Sequence, residues 1–281
     1  MQERHNNRKQ YFEEQAYTTS KYVIPFIEQS KPVDRRTRIL EIGCGEGGNI
    51  GPFLELGCEV VGIDLNEVQI NRARKYLSET FSCERLQLLA NNIYNITSNE
   101  VGQFDLIIMR DVIEHIFDQD KFMAFLLQFL APGGHVFFGF PPWYMPFGGH
   151  QQICKSKLLS TLPYYHLLPR GVYHWLLKTS GESEEVVKDL LEIKQTGISI
   201  ERFRRILNDQ GYTVVLEQLY FINPNYEVKF NLRPRPQCAL IGGIPFFRNV
   251  MSTCCYSLVS RRSQKNEFAK SRDMEKAVAG K

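Results

Sequence analysis

The chain has 281 residues, 43% of them hydrophobic and 23% charged, with a formal net charge of +3. These values suit a globular enzyme with a sizeable core, and so small a charge supplies no clustered basic face for a nucleic-acid partner. The start from Met1 to Gln10 is polar and lacks a signal-peptide core, and no run reaches the roughly 18 apolar residues of a membrane-spanning helix, so no transmembrane segment and a cytoplasmic location are expected.

Residues 1–35 read as an N-terminal helical cap, with Tyr11, Phe12 and Tyr17 in one helical stretch. From Thr37 to Phe140, short β-rich runs alternate with helical ones. The expected strands are Arg38–Ile42, Glu59–Asp64, Leu86–Ala90, Asp105–Met109 and His135–Phe140. Each is nearly continuous in apolar residues, as helices on both faces of a parallel sheet require. Helices are expected between them, near Asn49–Leu56, Glu67–Phe81 and Asp118–Leu130, so residues 36–142 predict a doubly wound α/β core. After Phe140 the rhythm breaks, and residues 143–198 carry apolar helical patches without a strand. Ile200, Phe203, Ile206 and Leu207 then form a helical stripe that Gly211 ends. Tyr212–Phe221 and Met251–Ser260 read as two further strands, joined by a Pro-rich link, Asn223–Pro245. Residues 199–260 thus complete the core sheet, with a helical insert between the fifth and sixth strands. The polar, charged residues 261–281 lack a stripe and read as a disordered tail. The seven cysteines show neither Cys-x-x-Cys nor zinc-site spacing; they read as buried thiols in a reducing compartment, and no metal is expected.

The strongest local signal is Arg38-Ile-Leu-Glu-Ile-Gly-Cys-Gly-Glu-Gly-Gly-Asn49, a buried strand running into glycines and then a helix. Gly43, Gly45 and Gly48 satisfy G-x-G-x-x-G, a turn in which backbone N–H groups approach a ligand. Nineteen residues past Gly45 the second strand ends in Asp64, placed either to accept hydrogen bonds from both hydroxyls of a ribose or to cap the following helix. This pair of features fits a dinucleotide or an adenosyl-sulfonium ligand. Glu41 and Glu46 favour the sulfonium, because carboxylates attract a cation and repel a pyrophosphate.

The glycine run resembles the first motif of class I S-adenosylmethionine-dependent methyltransferases, and Asp64 matches their ribose-binding acid. Phe104-Asp-Leu-Ile-Ile-Met-Arg-Asp-Val-Ile-Glu-His-Ile116 resembles the fourth-strand signature of the branch that includes ubiquinone-biosynthesis and other small-molecule enzymes, and Leu130-Ala-Pro-Gly-Gly-His-Val-Phe137 resembles the turn into their fifth strand. The resemblance covers residues 36–142. It implies a Rossmann-like, doubly wound, seven-stranded, mostly parallel sheet with an antiparallel last strand, and S-adenosyl-L-methionine as cofactor. It further implies that Gly43, Cys44 and Gly45 line the methionine part, Asp64 holds the ribose, and Asn92 and Ile93 flank the adenine, with Glu41 and Leu65 also at the cofactor. Asn92 departs from the Asp usual there but keeps a donor and an acceptor. Arg110 would set its backbone near the methionine amino group, and a helix bearing Tyr11 would close over the cofactor.

Asp111, Glu114 and His115 fall within one helical turn, as an acid–base set or as pocket-shaping residues. His150, in the aromatic and glycine-rich segment Pro141–Gln152 after the fifth strand, is the candidate general base, with a structural loop role as the alternative. The apolar, aromatic stretch from Leu158 to Leu177 reads as insert core or as a lid over an apolar acceptor, and its flanking lysines and arginines leave shallow contact with a membrane surface open. The expectation is a methyltransferase acting on a small, apolar or aromatic molecule. The rivals are an NAD-dependent oxidoreductase and a non-catalytic adenosyl-ligand-binding module. The sequence sets no oligomeric state.

Overall fold

The computed structural model describes residues 7–262. Five strands form the parallel half of one sheet: β1 (Arg38–Ile42), β2 (Glu59–Asp64), β3 (Leu86–Ala90), β4 (Phe104–Arg110) and β5 (Leu130–Phe140). Their carboxyl ends carry the loops that matter below. β6 (Tyr212–Ile222) and β8 (Cys254–Arg261) follow, β8 running antiparallel between β5 and β6. Among the described residues the order is β3-β2-β1-β4-β5-β8-β6 and then, at the edge, β7 (Arg235–Pro236). This eighth strand is two residues long and pairs with β6. The expected seven strands are therefore all present, and the addition lies inside the Pro-rich link. That link is not a bare connection: it also folds the helices Asn225–Phe230 and Ala239–Gly243, and a third, Phe247–Met251, follows it and takes Met251 from the expected last strand. Each has five or six residues, too short to show a helical period in sequence.

β5 starts five residues earlier than its apolar run, because Phe104 pairs with Leu130 and Leu106 with His135, so Ala131 to Gly134 bulge out of the ladder. Arg261 belongs to β8, and the Arg262 amide donates to the Gly211 carbonyl, so the first two residues of the expected tail are part of the fold; the rest of it lies outside the described residues.

Two hydrophobic layers sandwich the sheet. On one face Leu40, Ile107, Met109, Val136 and Phe138 pack with the helices Gln119–Leu126 and Ile200–Asp209, where Phe203 lies 5.1 Å from Phe138 and 4.8 Å from Phe140, ring to ring. On the other, Ile39, Leu106, Ile108 and Phe137 meet Val23, Phe26 and Ile27 of the N-terminal helical segment. The insert keeps a third, separate core of Cys154, Leu159, Tyr165, Tyr173, Leu177, Val187 and Leu190. Its aromatic stretch thus divides: these residues pack inside, while Leu158 and Trp175 stay exposed.

Cys44, Cys58, Cys154, Cys254 and Cys255 are buried thiols, and Cys238 is exposed. Among the described residues no helix is long and apolar enough to cross a membrane.

Candidate functional site

β1 lies between β2 and β4, so connections leave it in opposite directions and a crevice opens at the carboxyl ends of β1 and β4. The glycine loop fills that end of β1. Gly43 has φ +70°, and a Cβ on it would meet Val112 Cγ2 at 2.5 Å, so only glycine lets the β1 and β4 loops meet. At Gly48 a Cβ would meet the Phe12 carbonyl oxygen at 2.6 Å; there glycine lets the helix Arg8–Thr18 lie on the loop.

The Asp64 carboxylate accepts from the Gly45 amide (2.8 Å) and, through its other oxygen, from the Asn66 amide (2.8 Å). Asp64 therefore ties the ends of β1 and β2 together. It is not the helix cap: Asn66 caps Glu67–Ser78, its side chain accepting from the Val68 and Gln69 amides. Next to it Leu65 is 75% exposed, an apolar side chain left off the core. The Asn91 amide donates to the Asp64 carbonyl (3.0 Å), which brings Asn92 and Ile93 beside this pair. Asn92 spends its side-chain oxygen on the Tyr94 amide (3.0 Å), and Ile93 is buried.

Glu41 is buried at the foot of the loop. One oxygen accepts from Asn49 Nδ2 (2.7 Å); the other has no hydrogen-bond partner among the described residues. Burial raises its pKa from the ordinary carboxylate value to about 8, against the opposing pull of Asn49 and the Arg110 charge. Asn49 relays that pull, because its oxygen accepts from Arg110 Nη1 and from Thr19 Oγ1, both at 2.8 Å. Arg110 turns its side chain under the N-terminal segment and also holds Asn225. Glu46 is buried too, paired with Arg72 (3.0 Å) and Arg8 (3.5 Å), so its charge is spent within the protein. Tyr11 leans over this group; burial and the nearby Asp111 carboxylate push its hydroxyl up to about 12.

Asp111 adopts φ +56° and is followed by a 3-10 turn, Ile113–His115, rather than an α-helix. The three acid–base candidates therefore do not share a helical face. Glu114 points inward, 97% buried, and neither of its oxygens has a hydrogen-bond partner among the described residues. His115 stays exposed. His150, itself left-handed at φ +54°, brings Nε2 to 4.0 Å from Glu114 Oε1 and its ring to 5.0 Å from that of His115. The ligand-capable atoms of these three lie within 4.8 Å of one another, close enough to hold one cation or one polar group of an acceptor. Burial lowers His150 to about 3, helped by the neighbouring His115 and the Lys229 charge. Burial raises Glu114 well above the ordinary value, and the Asp111 carboxylate adds to it. Asp111 thus touches both groups electrically: Tyr11 on the glycine-loop side, Glu114 on the other.

The structure gathers Glu41, Gly43, Cys44, Gly45, Asp64 and Arg110 at the β1–β2–β4 ends, sets Asn92 and Ile93 one strand over, and places His150 with Glu114. Asn49, Thr19 and Asn225, which hold Glu41 and Arg110, escaped the sequence reading. Asn49 carried the only signal, ending the glycine run; Asn225 sits in the link taken for a loop.

A methyltransferase domain family matches residues 11–160, more than half of the chain. A human mitochondrial ubiquinone biosynthesis O-methyltransferase is 25% identical over 77% of this chain, which spans 56% of that protein's length. One from Acinetobacter baylyi is 22% identical, covering 69% of this chain and 74% of its own. Among solved structures, the magnesium protoporphyrin IX methyltransferase of Synechocystis PCC 6803 with bound S-adenosylhomocysteine superposes with a TM-score of 0.51 at 14% identity, over 88% of this chain and 84% of that one, a likeness of fold. The nicotinamide alternative falls with these matches: the chain belongs to the class I S-adenosylmethionine-dependent methyltransferases.

Proposed function

We propose that the chain transfers a methyl group from S-adenosylmethionine to an oxygen of a small, apolar or aromatic acceptor. The observation that carries the cofactor half is Glu41, a buried carboxylate with one oxygen unpartnered beside a glycine cradle. A cation bound there restores the ionised form that burial suppresses, whereas an anion does the reverse. Gly43, Cys44 and Gly45 would hold the methionine part, Asp64 and Leu65 the ribose side, and Asn92 and Ile93 the adenine, with the Arg110 backbone near the methionine amino group and Tyr11 closing the site from the N-terminal side. When bound, the sulfonium supplies an activated methyl group. The protein's remaining work is alignment of the acceptor and exclusion of water.

The names of the 25% and 22% identical relatives, ubiquinone biosynthesis O-methyltransferases, support an oxygen acceptor. His150 and Glu114 are assigned to the acceptor's proton. Burial keeps the imidazole uncharged and so free to accept, and the Glu114 carboxyl, itself pushed toward its neutral form by burial, lies 4.0 Å away, within reach of the same acceptor group. The exposed face of the insert 143–198 supports a lid over the acceptor, and the five buried thiols support a reducing, cytoplasmic setting. The test compares thermal shifts with S-adenosylhomocysteine and with NAD. Stabilisation by the first that shrinks in Glu41→Gln supports the assignment; preference for NAD overturns it.

A further inference from the structure

The segment Cys238-Ala-Leu-Ile-Gly-Gly-Ile-Pro-Phe-Phe247 carries no charged residue, and most of it is exposed. Leu240 is 79% exposed and Phe246 71%, with Ile244 and Phe247 exposed beside them. A soluble surface rarely shows so continuous an apolar run without a use for it. Nor is the run slack. Phe246 takes the left-handed φ of +63°, and Glu201 clamps it there, accepting from the Phe246 amide (2.8 Å), from Arg248 Nε (2.8 Å) and from the Asn249 side-chain amide. A strained backbone fixed by three donors to one carboxylate holds the phenyl ring outward.

The charge around this loop has one sign. From Val228 to Arg262 the chain has no Asp or Glu, while Arg233 and Arg235 are exposed on the approach to the loop. The nearby carboxylates are taken: Glu201 by Arg248, and Glu227 by Lys21. The location is specific as well. The loop joins the end of β6 to the start of β8, and Cys255 of β8 stands opposite Phe140 at the carboxyl end of β5. It therefore lies at the same end of the sheet as the glycine loop and His150. The described chain ends at Arg262, at the opposite end, beside Gly211.

We propose that residues 238–247 dock on the surface of a bilayer containing anionic phospholipid, Leu240 and Phe246 entering the acyl boundary and Arg233 and Arg235 meeting the headgroups. The docking itself does not depend on methyl transfer; its use is to set the acceptor side of the site toward the lipid, from which an apolar acceptor enters.

The experiment is sedimentation of the full chain with vesicles of phosphatidylcholine alone and of phosphatidylcholine with phosphatidylglycerol. The wild type binds the anionic vesicles, and salt weakens it. Leu240→Ser/Phe246→Ser loses at least about tenfold in partitioning to both vesicles, as two apolar side chains lose their burial. Arg233→Gln/Arg235→Gln loses the preference for the anionic ones. A thermal shift with S-adenosylhomocysteine, equal in all three proteins, shows that they are folded. Failure of the folded wild type to bind, or binding untouched by either double variant, overturns the proposal. So does a dimer that Leu240→Ser/Phe246→Ser converts to monomer, since a second copy would then cover the face.

Discussion

The sheet end that holds the glycine loop and the insert that follows β5 are built on different principles. In the first, position is set by backbone: glycines that let β1 and β4 loops touch, and one carboxylate, Asp64, that ties two strand ends. In the second, position is set by a private core and a few polar staples. Gln119 Nε2 donates to the Ile113 carbonyl (2.9 Å) and the Thr196 carbonyl (2.6 Å), and the Trp143 amide donates to the Ile198 carbonyl (2.9 Å). A backbone-defined site tolerates no side chain in the cradle; a core-defined insert tolerates surface change and fails from within. The two should therefore break separately.

The largest expected effect is in the insert. Tyr173→Ala empties the centre of its core and costs about 3–5 kcal/mol of local stability. Acceptor turnover then collapses while S-adenosylhomocysteine still binds, as read by calorimetry; equal loss of both would merge the two regions into one unit. Gly43→Ala is the mirror experiment. Its Cβ meets Val112 in a left-handed backbone, and strain plus overlap of about 2–4 kcal/mol should lower cofactor affinity by at least about thirtyfold. Limited proteolysis should find the insert of that variant as resistant as before.

Glu41→Gln sharpens the cofactor side. It keeps an acceptor for Asn49 but removes the carboxylate, so cofactor affinity falls about tenfold. Ligand-free stability moves the other way. In the folded chain Glu41 titrates near 8, above its unfolded value, so the folded form holds a proton that the unfolded chain releases. Its contribution is intact below the unfolded value and is lost as pH rises toward 8, by up to about 1.4 kcal/mol per unit. Urea midpoints between pH 6.5 and 8 should decline less in Glu41→Gln than in wild type.

The acid limb belongs to the insert side. His150 near 3 and His166 near 4 are buried neutral, and the unfolded chain takes protons that the folded one refuses. Their contribution is whole above about pH 6.5 and is lost as pH falls from there. His150→Gln should flatten that decline by about one proton's worth; an unchanged slope would show that the ring is not buried neutral.

The same division explains what the residues revealed in advance. Apolar runs separated by turn residues made β1 to β5 readable, and glycine spacing with Asp64 made the loop readable, because both are local patterns. The insert's helices were legible as apolar patches, yet nothing in a linear pattern separates Tyr173, which packs inside, from Trp175, which faces out. The helix Asn225–Phe230 was hidden because its role is long-range: Asn225 answers Arg110, and Glu227 answers Tyr22 and Lys21, more than 200 residues away. Glu114 was visible as a residue but not as a buried, unpartnered one.

Transfer of labelled methyl from S-adenosylmethionine into a cell extract, separated into polar small-molecule, lipid and macromolecular pools, tests the proposed function most directly. Label should enter the lipid pool above an Asp64→Ala control, which loses the tie between β1 and β2 and the proposed ribose contact. Label confined to macromolecules, or equal label with Asp64→Ala, would contradict it.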